Sequence, residues 1–235
     1  MKLLAFETSA KAASAALLED GRLLAEAFQN SGLTHSRTVM KLAEDMLSSC
    51  DLTPADVDAV AYANGPGSFT GIRIGVAAAK GFCWGRALPC LPVSTLEAMA
   101  WSWSGEGTVC CCMDARREQV YNAVFSVASG AVTRLREDRA VSLAELQADL
   151  AGIAGPIWLM GDGAELTFRA LSEALPALRL TAEHRRQQRA SGVALAGWQA
   201  FLQGKAQSAA AALPNYLRLS QAERERLAKE KNKGE

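Results

Sequence analysis

The order of predicted strands and helices constrains the fold of this chain most, because nearly the same order occurs twice. In the first half, short apolar runs predict strands, and Glu19-Asp20-Gly21 predicts the tight turn between the second and the third. Apolar residues at helical spacing, with Thr34 as the capping residue, predict the first helix. This half predicts three strands, a helix, a strand and a helix at residues 2–6, 14–18, 22–28, 34–52, 57–63 and 70–84, then a short strand at 90–93 and a helix from Thr95.

The second half predicts the same succession of elements. Hairpins followed by strand–helix units give an α/β lobe, a mixed sheet flanked by helices. Two duplicated βββαβα units side by side describe the two-lobed actin-like fold (ASKHA, RNase H-like), in which ligands bind between the lobes. We predict an N-terminal lobe at 1–105, a C-terminal lobe at 106–218 and a charged tail at 219–235. The elements of the second half are predicted at residues 108–113, 119–127, 132–135, 144–151, 156–161 and 165–174, with Ser142 capping its first helix.

The composition restricts the classes of partner. Over 235 residues, 25 basic side chains balance 25 acidic ones, which argues against a broad basic surface for nucleic acid. No apolar run reaches the roughly 18 residues of a membrane span, and the apolar start before Glu7 is too short for a signal peptide. We therefore expect a cytoplasmic protein with reduced thiols, in which Cys110, Cys111 and Cys112 are buried apolar residues rather than metal ligands.

The stretch NGPGSFTGIRIG, residues 64–75, is the strongest candidate for a ligand contact. Its glycines allow a sharp turn and a close approach to a ligand, and its position before a helix favours an anion. The stretch lacks the GK[ST] ending of a Walker loop and the acid that follows a dinucleotide-binding G-x-G-x-x-G motif. An anion site and a purely structural turn are both consistent with it. The candidate contacts are Gly65, Gly67, Ser68, Thr70, Gly71 and Arg73.

Six segments together resemble one known family. They are LLAFETS, THS before the first helix, AVAYANGPGSFTGIRIG, PVSTLEAMA, DARREQVYNAVF and PNYLR, in this order. The succession resembles the TsaB family, also called YeaZ, over nearly the whole chain up to Arg218. The resemblance implies an actin-like fold and a cytoplasmic, non-catalytic subunit required for threonylcarbamoyl transfer to adenosine 37 of tRNAs that read ANN codons.

The resemblance also implies partners. The catalyst is the metal-carrying paralogue TsaD, which a TsaB-type subunit scaffolds and activates as a heterodimer, and the ATPase TsaE joins the assembly. A separate enzyme, TsaC, makes threonylcarbamoyl-adenylate from threonine, bicarbonate and ATP. Alone, a TsaB protein forms a homodimer through a similar surface, and tRNA is bound only through the complex. No cofactor is required for this role, and the one ligand left open is a nucleotide, ATP or ADP, at the interface with TsaD.

One segment bears directly on catalysis. TsaD has an H-x-x-x-H metal pair after a proline–valine pair, and the corresponding positions in PVSTLEAM are Thr95 and Met99. Neither side chain suits a hard catalytic ion. The sequence contains two histidines, His35 and His184, far apart along the chain. We therefore expect no metal site and no catalytic residue.

The segment FETSAKAAS resembles the opening of TsaD but has Lys11 and Ala12 where TsaD has acidic residues. An actin-like ATPase needs carboxylates near this hairpin to hold Mg²⁺ and to orient water. Glu7 has no clear second acid beside it, so we do not expect ATP hydrolysis by this chain alone. Glu7, Thr8 and Ser9 are further candidates for weak nucleotide or anion contact.

The first two helices are the candidate partner surface. Small residues in the second helix let another helix approach closely, and methionines suit a surface that pairs with more than one partner. The alternative is that both helices only pack on the first sheet. We predict exposed apolar residues on their outer faces and a surface that includes His35, Ser36, Val39, Met40, Met46, Arg73, Val76 and Lys80.

Other polar residues and other functions have alternative interpretations. Asp114 and Arg116 are expected to pair at the hinge between the lobes, with a ligand contact as the alternative, and the basic run around His184 is expected to be a solvated loop. An active ATP-dependent kinase or ATPase of the actin-like superfamily and an inactive metallopeptidase homologue are the alternative functions. The neutral charge disfavours a tRNA-binding module that works alone.

Overall fold

Two five-stranded mixed sheets organise the chain in this computed structural model, which describes residues 1–218. The charged tail predicted at 219–235 lies outside the described residues. The first lobe contains β1 (Lys2–Glu7), β2 (Ala13–Glu19), β3 (Arg22–Gln29), α1 (His35–Ser49), β4 (Ala59–Gly65), α2 (Phe69–Trp84), β5 (Cys90–Ser94) and α3 (Thr95–Trp101). Its sheet has the order β3-β2-β1-β4-β5, with β1, β2 and β3 antiparallel and β4 and β5 parallel to β1.

The second sheet repeats the first strand for strand. It is built from β6 (Gly107–Arg116), β7 (Gln119–Ala128), β8 (Ala131–Ser142), α4 (Leu143–Leu150), β9 (Ile157–Met160), α5 (Ala164–Leu171) and β10 (Leu178–Leu180). Its order is β10-β9-β6-β7-β8, again an antiparallel meander with two parallel strands on the other side of the first strand. The predicted two-lobed actin-like fold with duplicated βββαβα units is therefore confirmed. Two further helices follow, α6 (Glu183–Arg186) and α7 (Ala190–Leu202).

The buried side chains define alternating layers. Leu4 and Phe6 of β1 belong to the core beneath α1 and α2, whereas Leu3 and Ala5 belong to the core beneath α7. This alternation is expected for a strand that is covered on both faces. In the second lobe, α4 and α5 cover one face of the sheet, and α3 packs on the other face with Met99 fully buried. Because α3 also packs on α7, the two lobes share apolar layers instead of meeting only at a flexible linker.

Helix α7 returns the chain to the first lobe. Its apolar residues pack on β1, β2, β4 and β5, and its first turn is held by Glu26 of β3 and Ser14 of β2. Glu26 Oε1 accepts a hydrogen bond from Ser191 N at 2.9 Å, and Ser14 Oγ accepts one from Ala190 N at 2.8 Å. The sequence-based division assigned all of residues 106–218 to the second lobe. The structure differs, because the first sheet needs α7 to cover its inner face.

Several predicted boundaries also differ from the structure. Thr34 occupies the position before α1, but its side chain makes no capping hydrogen bond. Strand β8 extends to Ser142, well beyond the predicted 132–135. No prediction covered α7, because its apolar residues lie on all sides and give no amphipathic pattern. Within residues 1–218, no helix is both long and apolar enough to cross a bilayer.

Candidate functional site

A cleft of about 580 Å³ opens between the two lobes. The first lobe contributes the turn after β1 and the loop between β4 and α2, which we call the glycine loop (residues 64–71). The second lobe contributes the end of β6 and Asp162 after β9. Residues 215–218, here called the C-terminal strap, form a further wall. The cleft thus lies where an actin-like fold is expected to bind a ligand.

The glycines of this loop are required by contacts within the chain itself. Gly65 and Gly67 have φ values of 127° and 153°, which a residue with a side chain rarely adopts. A Cβ at Gly65 would overlap the carbonyl oxygen of Asn215, and one at Gly67 would lie 2.5 Å from the carbonyl oxygen of Ser9. A Cβ at Gly71 would overlap the carbonyl oxygen of Thr8. Close packing against the β1–β2 turn and the strap therefore explains these glycines without any ligand.

Only part of the predicted contact set faces the cleft. Ser9, Gly67, Ser68 and Thr70 line it. The remaining predicted residues lie elsewhere: Glu7, Thr8, Gly65 and Gly71 are buried behind the loop, and Arg73 lies on the exposed side of α2. None of these five residues lines the cleft, so the prediction that they contact a ligand there directly needs correction.

The amino terminus of α2 supplies the donors nearest to the cleft. Ser68 N donates to the carbonyl oxygen of Ser9 at 2.7 Å, and the Ser68 hydroxyl accepts from Gly71 N at 3.3 Å. The next two N–H groups, those of Phe69 and Thr70, belong to the first turn and have no acceptor within the helix. These groups, together with the positive end of the helix dipole, suit an anion.

Glu7 is buried directly behind this loop. Its Oε1 accepts a hydrogen bond from Ser9 N at 2.6 Å, whereas its Oε2 and the buried Ser9 hydroxyl have no partner within residues 1–218. Burial raises the pKa of Glu7 to about 7, against the opposing effect of the hydrogen bond from Ser9 N. Near neutral pH this carboxyl group is therefore divided between its protonated and ionised forms.

The second lobe brings mixed charges to the cleft. Asp162 accepts a hydrogen bond from Gln188 Nε2 at 2.9 Å, and burial raises the pKa of this aspartate. Asp114 and Arg116 both line the cleft. An ion pair between Asp114 and Arg116 was predicted at the hinge. Instead, Asp114 Oδ1 accepts a hydrogen bond from the backbone N–H of Arg116 at 2.7 Å. No ion pair joins these two side chains in the described part of the chain.

The turn between β6 and β7 is strained. Arg116, Arg117 and Glu118 follow one another with φ values of 63°, 56° and 56°. Left-handed backbone costs of order 1 kcal/mol for each residue that has a Cβ. Both arginines of this turn are exposed, and Arg116 lines the cleft. Sequence reasoning missed this feature, because none of the three residues favours such a conformation.

The C-terminal strap spans the mouth of the cleft. Asn215 N donates to the carbonyl oxygen of Asn64 at 2.7 Å, and the Tyr216 ring stacks on Phe69 with centroids 4.5 Å apart. At the other lobe, Arg218 Nη1 donates to the carbonyl oxygen of Ala115 at 2.8 Å. The strap lies within the PNYLR segment of the sequence, which was assigned to the second lobe and not to the cleft.

The outer faces of α1 and α2 carry exposed apolar side chains, as predicted. Met40 is 44% exposed and Trp84 is 68% exposed, and Leu33 lies exposed just before α1. The predicted interface set needs a correction: Val39, Met46 and Val76 are buried in the core beneath these helices and cannot meet a partner.

The other predicted interface residues are at least partly accessible. Ser36 and Arg73 are exposed, and Lys80 is half-buried. His35 is half-buried too, and its Nε2 donates to the carbonyl oxygen of Ala10 at 2.8 Å. His35 therefore fixes the β1–β2 turn to the start of α1. Around Gly81 of α2, a Cβ would meet no atom within 4 Å, so close packing inside the chain does not explain this glycine.

The positions expected to replace a metal pair lie inside the protein. Thr95 and Met99 are buried in α3, and neither lines the cleft. Among the described residues, no cluster of three or more His, Cys, Asp or Glu side chains could hold a metal ion. Cys110, Cys111 and Cys112 are buried free thiols, as predicted.

Two arginines of the basic run after β10 contact other residues of the chain. Arg185 donates to the Ser104 hydroxyl at 2.7 Å and Arg189 pairs with Glu26 at 3.2 Å. His184 is exposed, but it lies on the short helix α6 rather than in a loop.

Comparisons with known proteins match this chain to a TsaD family model and to TsaB proteins. A family model for "TsaD: tRNA N6-adenosine threonylcarbamoyltransferase" matches residues 29–225. The tRNA threonylcarbamoyladenosine biosynthesis protein TsaB of Bacillus subtilis is 31% identical over 95% of this chain and 96% of its own length. The Escherichia coli protein of the same name is 36% identical over 62% of this chain and 64% of its own length.

A solved structure gives the same answer at the level of the whole fold. A Pseudomonas aeruginosa structure described as similar to peptidase YeaZ superimposes with a TM-score of 0.74 and 27% identity. The superposition covers 92% of this chain and 99% of that chain. With the B. subtilis relative aligned almost end to end, the chain belongs to the TsaB (YeaZ) family.

Proposed function

We propose that this chain is a non-catalytic subunit required for threonylcarbamoyl transfer to adenosine 37 of tRNAs reading ANN codons. In this proposal it scaffolds and activates TsaD together with TsaE, in the cytoplasm, and meets tRNA only through the complex. The observation that carries the proposal is the identity and burial of Thr95 and Met99. These two residues stand where TsaD is expected to have its metal-binding histidines. Both are buried in α3, and Met99 belongs to the apolar layer beneath the second sheet.

The proposed partner surface is the outer side of α1 and α2. Met40 and Trp84 leave apolar area exposed there, which a protein partner would bury. The same surface supports a homodimer of the isolated chain, and TsaD would replace one copy in the heterodimer. Two helices from each subunit would then form a four-helix layer.

A nucleotide is the ligand class that we propose for the cleft, although the accessory role requires no cofactor. The first-turn N–H groups of α2 and the hydroxyl groups of Ser9, Ser68 and Thr70 can donate to phosphate oxygens. Lys11 and Arg116 line the same cleft with positive charge. Isothermal titration of the isolated chain and of its complex with TsaD, using ATP and ADP, tests this proposal.

Reconstitution tests the main proposal. TsaC, TsaD, TsaE and an unmodified tRNA are combined with threonine, bicarbonate and ATP, with and without this chain, and modified adenosine is counted by mass spectrometry. We expect modification only when the chain is present. A matched reaction containing this chain but no TsaD should give none. Equal modification with and without the chain would refute the accessory role.

The second candidate is an ATPase of the actin-like superfamily, favoured by Asp114 and Asp162 at the cleft. Carboxylates at such a position can hold Mg²⁺ and orient water. The test is release of phosphate from ATP by the isolated chain. Magnesium-dependent turnover that is lost in Asp162→Asn would establish the ATPase and remove the claim that the chain is inert.

A further inference from the structure

Arg73 lies on the exposed side of α2 and is held there by two aromatic rings. Its guanidinium carbon lies 3.9 Å from the centroid of the Phe69 ring, and its Nε donates a hydrogen bond to the Tyr216 hydroxyl at 2.8 Å. Tyr216 is in turn stacked on Phe69. These contacts fix the direction of the guanidinium while engaging Nε alone. An arginine held in this way loses little additional side-chain freedom when it binds.

Arg73 differs from the other stacked arginines of the described chain. Arg134 also lies over an aromatic ring, and it pairs with Glu97 at 2.8 Å. Arg189 lies over a third ring and pairs with Glu26 at 3.2 Å. Within residues 1–218, no carboxylate lies within 4.0 Å of Arg73, and its terminal nitrogens make no hydrogen bond. Residues 1–218 thus prepare a guanidinium but do not supply its anion.

We propose that Arg73 anchors a carboxylate of the protein partner that docks on α1 and α2, and that Tyr216 is the positioning residue that presents it. The inference rests on the proposed function, since the partner is the transferase paralogue TsaD. Two free terminal nitrogens match the two oxygens of an aspartate or glutamate side chain in a bidentate pair. Such a pair at the edge of an apolar contact fixes orientation as well as adding affinity.

The surroundings of Arg73 favour a protein carboxylate over an RNA phosphate. The exposed positions that follow it at helical spacing on α2, Ala77, Gly81 and Trp84, carry no charge, and the only other cation of α2, Lys80, is half-buried. Nucleic-acid surfaces instead neutralise several phosphates with clustered cations. The formal net charge of the chain, +0, gives no long-range attraction for a polyanion either.

Tyr216 links this anchor to the cleft. It belongs to the C-terminal strap, whose other contacts reach Asn64 in the first lobe and Ala115 in the second. The direction of the Arg73 guanidinium therefore depends on a strap that is docked across both lobes. Loss of the strap contact would leave Arg73 charged but oriented only by its stacking on Phe69.

The test is the affinity of TsaD for variants of the full chain, measured by isothermal titration. Arg73→Lys keeps the charge and removes the planar fork, and we expect it to weaken binding at least about tenfold. Tyr216→Phe keeps the stacking and removes the hydroxyl acceptor, with an expected loss of about threefold. Arg136→Ala, an exposed arginine on β8 of the second lobe, is the matched control and should bind like the wild type.

A double-mutant cycle separates positioning from general damage. If Tyr216 acts through Arg73, Tyr216→Phe should cause no further loss of affinity in an Arg73→Ala background. Additive losses would overturn the positioning role. The thermal unfolding midpoint of each variant, measured in parallel, verifies that the proteins compared are folded.

The remaining outcomes are also distinct. Wild-type affinity of both Arg73→Lys and Arg73→Ala for TsaD would overturn the anchor while leaving the proposed function intact. A wild-type chain that does not bind TsaD at all would instead refute the proposed function. If the Arg73 variants lose affinity for tRNA but not for TsaD, the anion is a phosphate and the carboxylate assignment is wrong.

Discussion

Gly65 and Asn215 approach so closely that the carbonyl oxygen of Asn215 occupies the space where a Cβ of residue 65 would lie. The two residues are 150 positions apart, and their contact joins the glycine loop to the C-terminal strap. A loop that looks built for phosphate in the sequence is therefore shaped first by the chain's own backbone. What it offers a ligand is its other side, where Ser9 and Thr70 line the cleft.

Replacing Gly65 by alanine should destabilise the protein and loosen the strap. The added Cβ meets backbone rather than a flexible side chain, and the φ of 127° is strained for alanine. We expect the free energy of unfolding to fall by about 2–4 kcal/mol in urea titrations. Gly81→Ala is the matched control, because it lies in open space within α2 and should stabilise by up to about 1 kcal/mol. Similar effects of the two substitutions would contradict this account of the loop.

Glu7 should make stability fall as the pH rises through neutrality. Its pKa in the folded protein is about 7, above the reference value of 4.5, so the folded state binds the proton more tightly than the unfolded state. The resulting stabilisation is complete below about pH 4.5 and is lost as the pH passes 7. At roughly 1.4 kcal/mol per unit of pKa difference, the contribution is about 3 kcal/mol.

Glu7→Gln removes this titration while keeping the size of the side chain. The unfolding free energy of the variant, relative to the wild type, should rise between pH 5 and pH 8 in urea titrations. The exposed Glu44→Gln serves as the control and should show no such rise. A constant difference between Glu7→Gln and the wild type across this range would show that Glu7 does not titrate there.

Charged substitutions on the outer faces of α1 and α2 should weaken self-association. Met40 and Trp84 are exposed in the single chain, so Met40→Glu and Trp84→Glu should leave the unfolding free energy within about 0.5 kcal/mol of the wild type. Sedimentation equilibrium should show at least a tenfold higher dissociation constant for the homodimer, because a buried unpaired charge costs more than about 1.4 kcal/mol. Leu166→Glu, on the second lobe, is the control. If Leu166→Glu weakens the homodimer as much as Met40→Glu and Trp84→Glu do, the interface is not confined to the outer faces of α1 and α2.

Glu26 should be important for stability although it lies on an edge strand. Its carboxylate meets the amino terminus of α7 through Ser191 N at 2.9 Å and pairs with Arg189 at 3.2 Å. Removing the charge with Glu26→Gln should cost about 1–2 kcal/mol of unfolding free energy. The solvent-exposed pair of Glu44 with Lys41 should contribute less than about 0.5 kcal/mol when tested by Glu44→Gln. Equal losses of unfolding free energy in Glu26→Gln and Glu44→Gln would show that the contact of Glu26 with α7 contributes no special stability.

The duplicated sheets could be predicted from the sequence because local signals specify them. The turn at Asp20-Gly21 and the apolar runs on either side determine the first meander, and similar patterns determine the second. Helix α7 had no such signal, since it is apolar and buried on different sides: Gly192 packs against Ala98 of α3, and Gly197 packs against Ala61 of β4. Its place on the first sheet follows from tertiary packing, which no local pattern encodes.

The candidate site could be predicted only in part for a related reason. Ser9 and Thr70 were expected near a ligand and do line the cleft. Gly65 was assigned to ligand approach, because sequence alone cannot show that Asn215 returns to the same point. Val39 was assigned to the partner surface, since helical spacing identifies an apolar stripe but not the side on which the sheet lies.

The return of α7 to the first sheet has a consequence for how the protein is made on the ribosome. The strand order of that sheet is complete once β5 has emerged at Ser94, yet Leu3, Ala5 and Leu91 stay uncovered until α7 follows about a hundred residues later. At 5–20 residues per second, the nascent chain carries an uncovered apolar sheet face for roughly 5–20 seconds. Nascent-chain chaperones would have their main work during this interval, and a ribosome stalled before Ala190 would hold a lobe with no cover for that face.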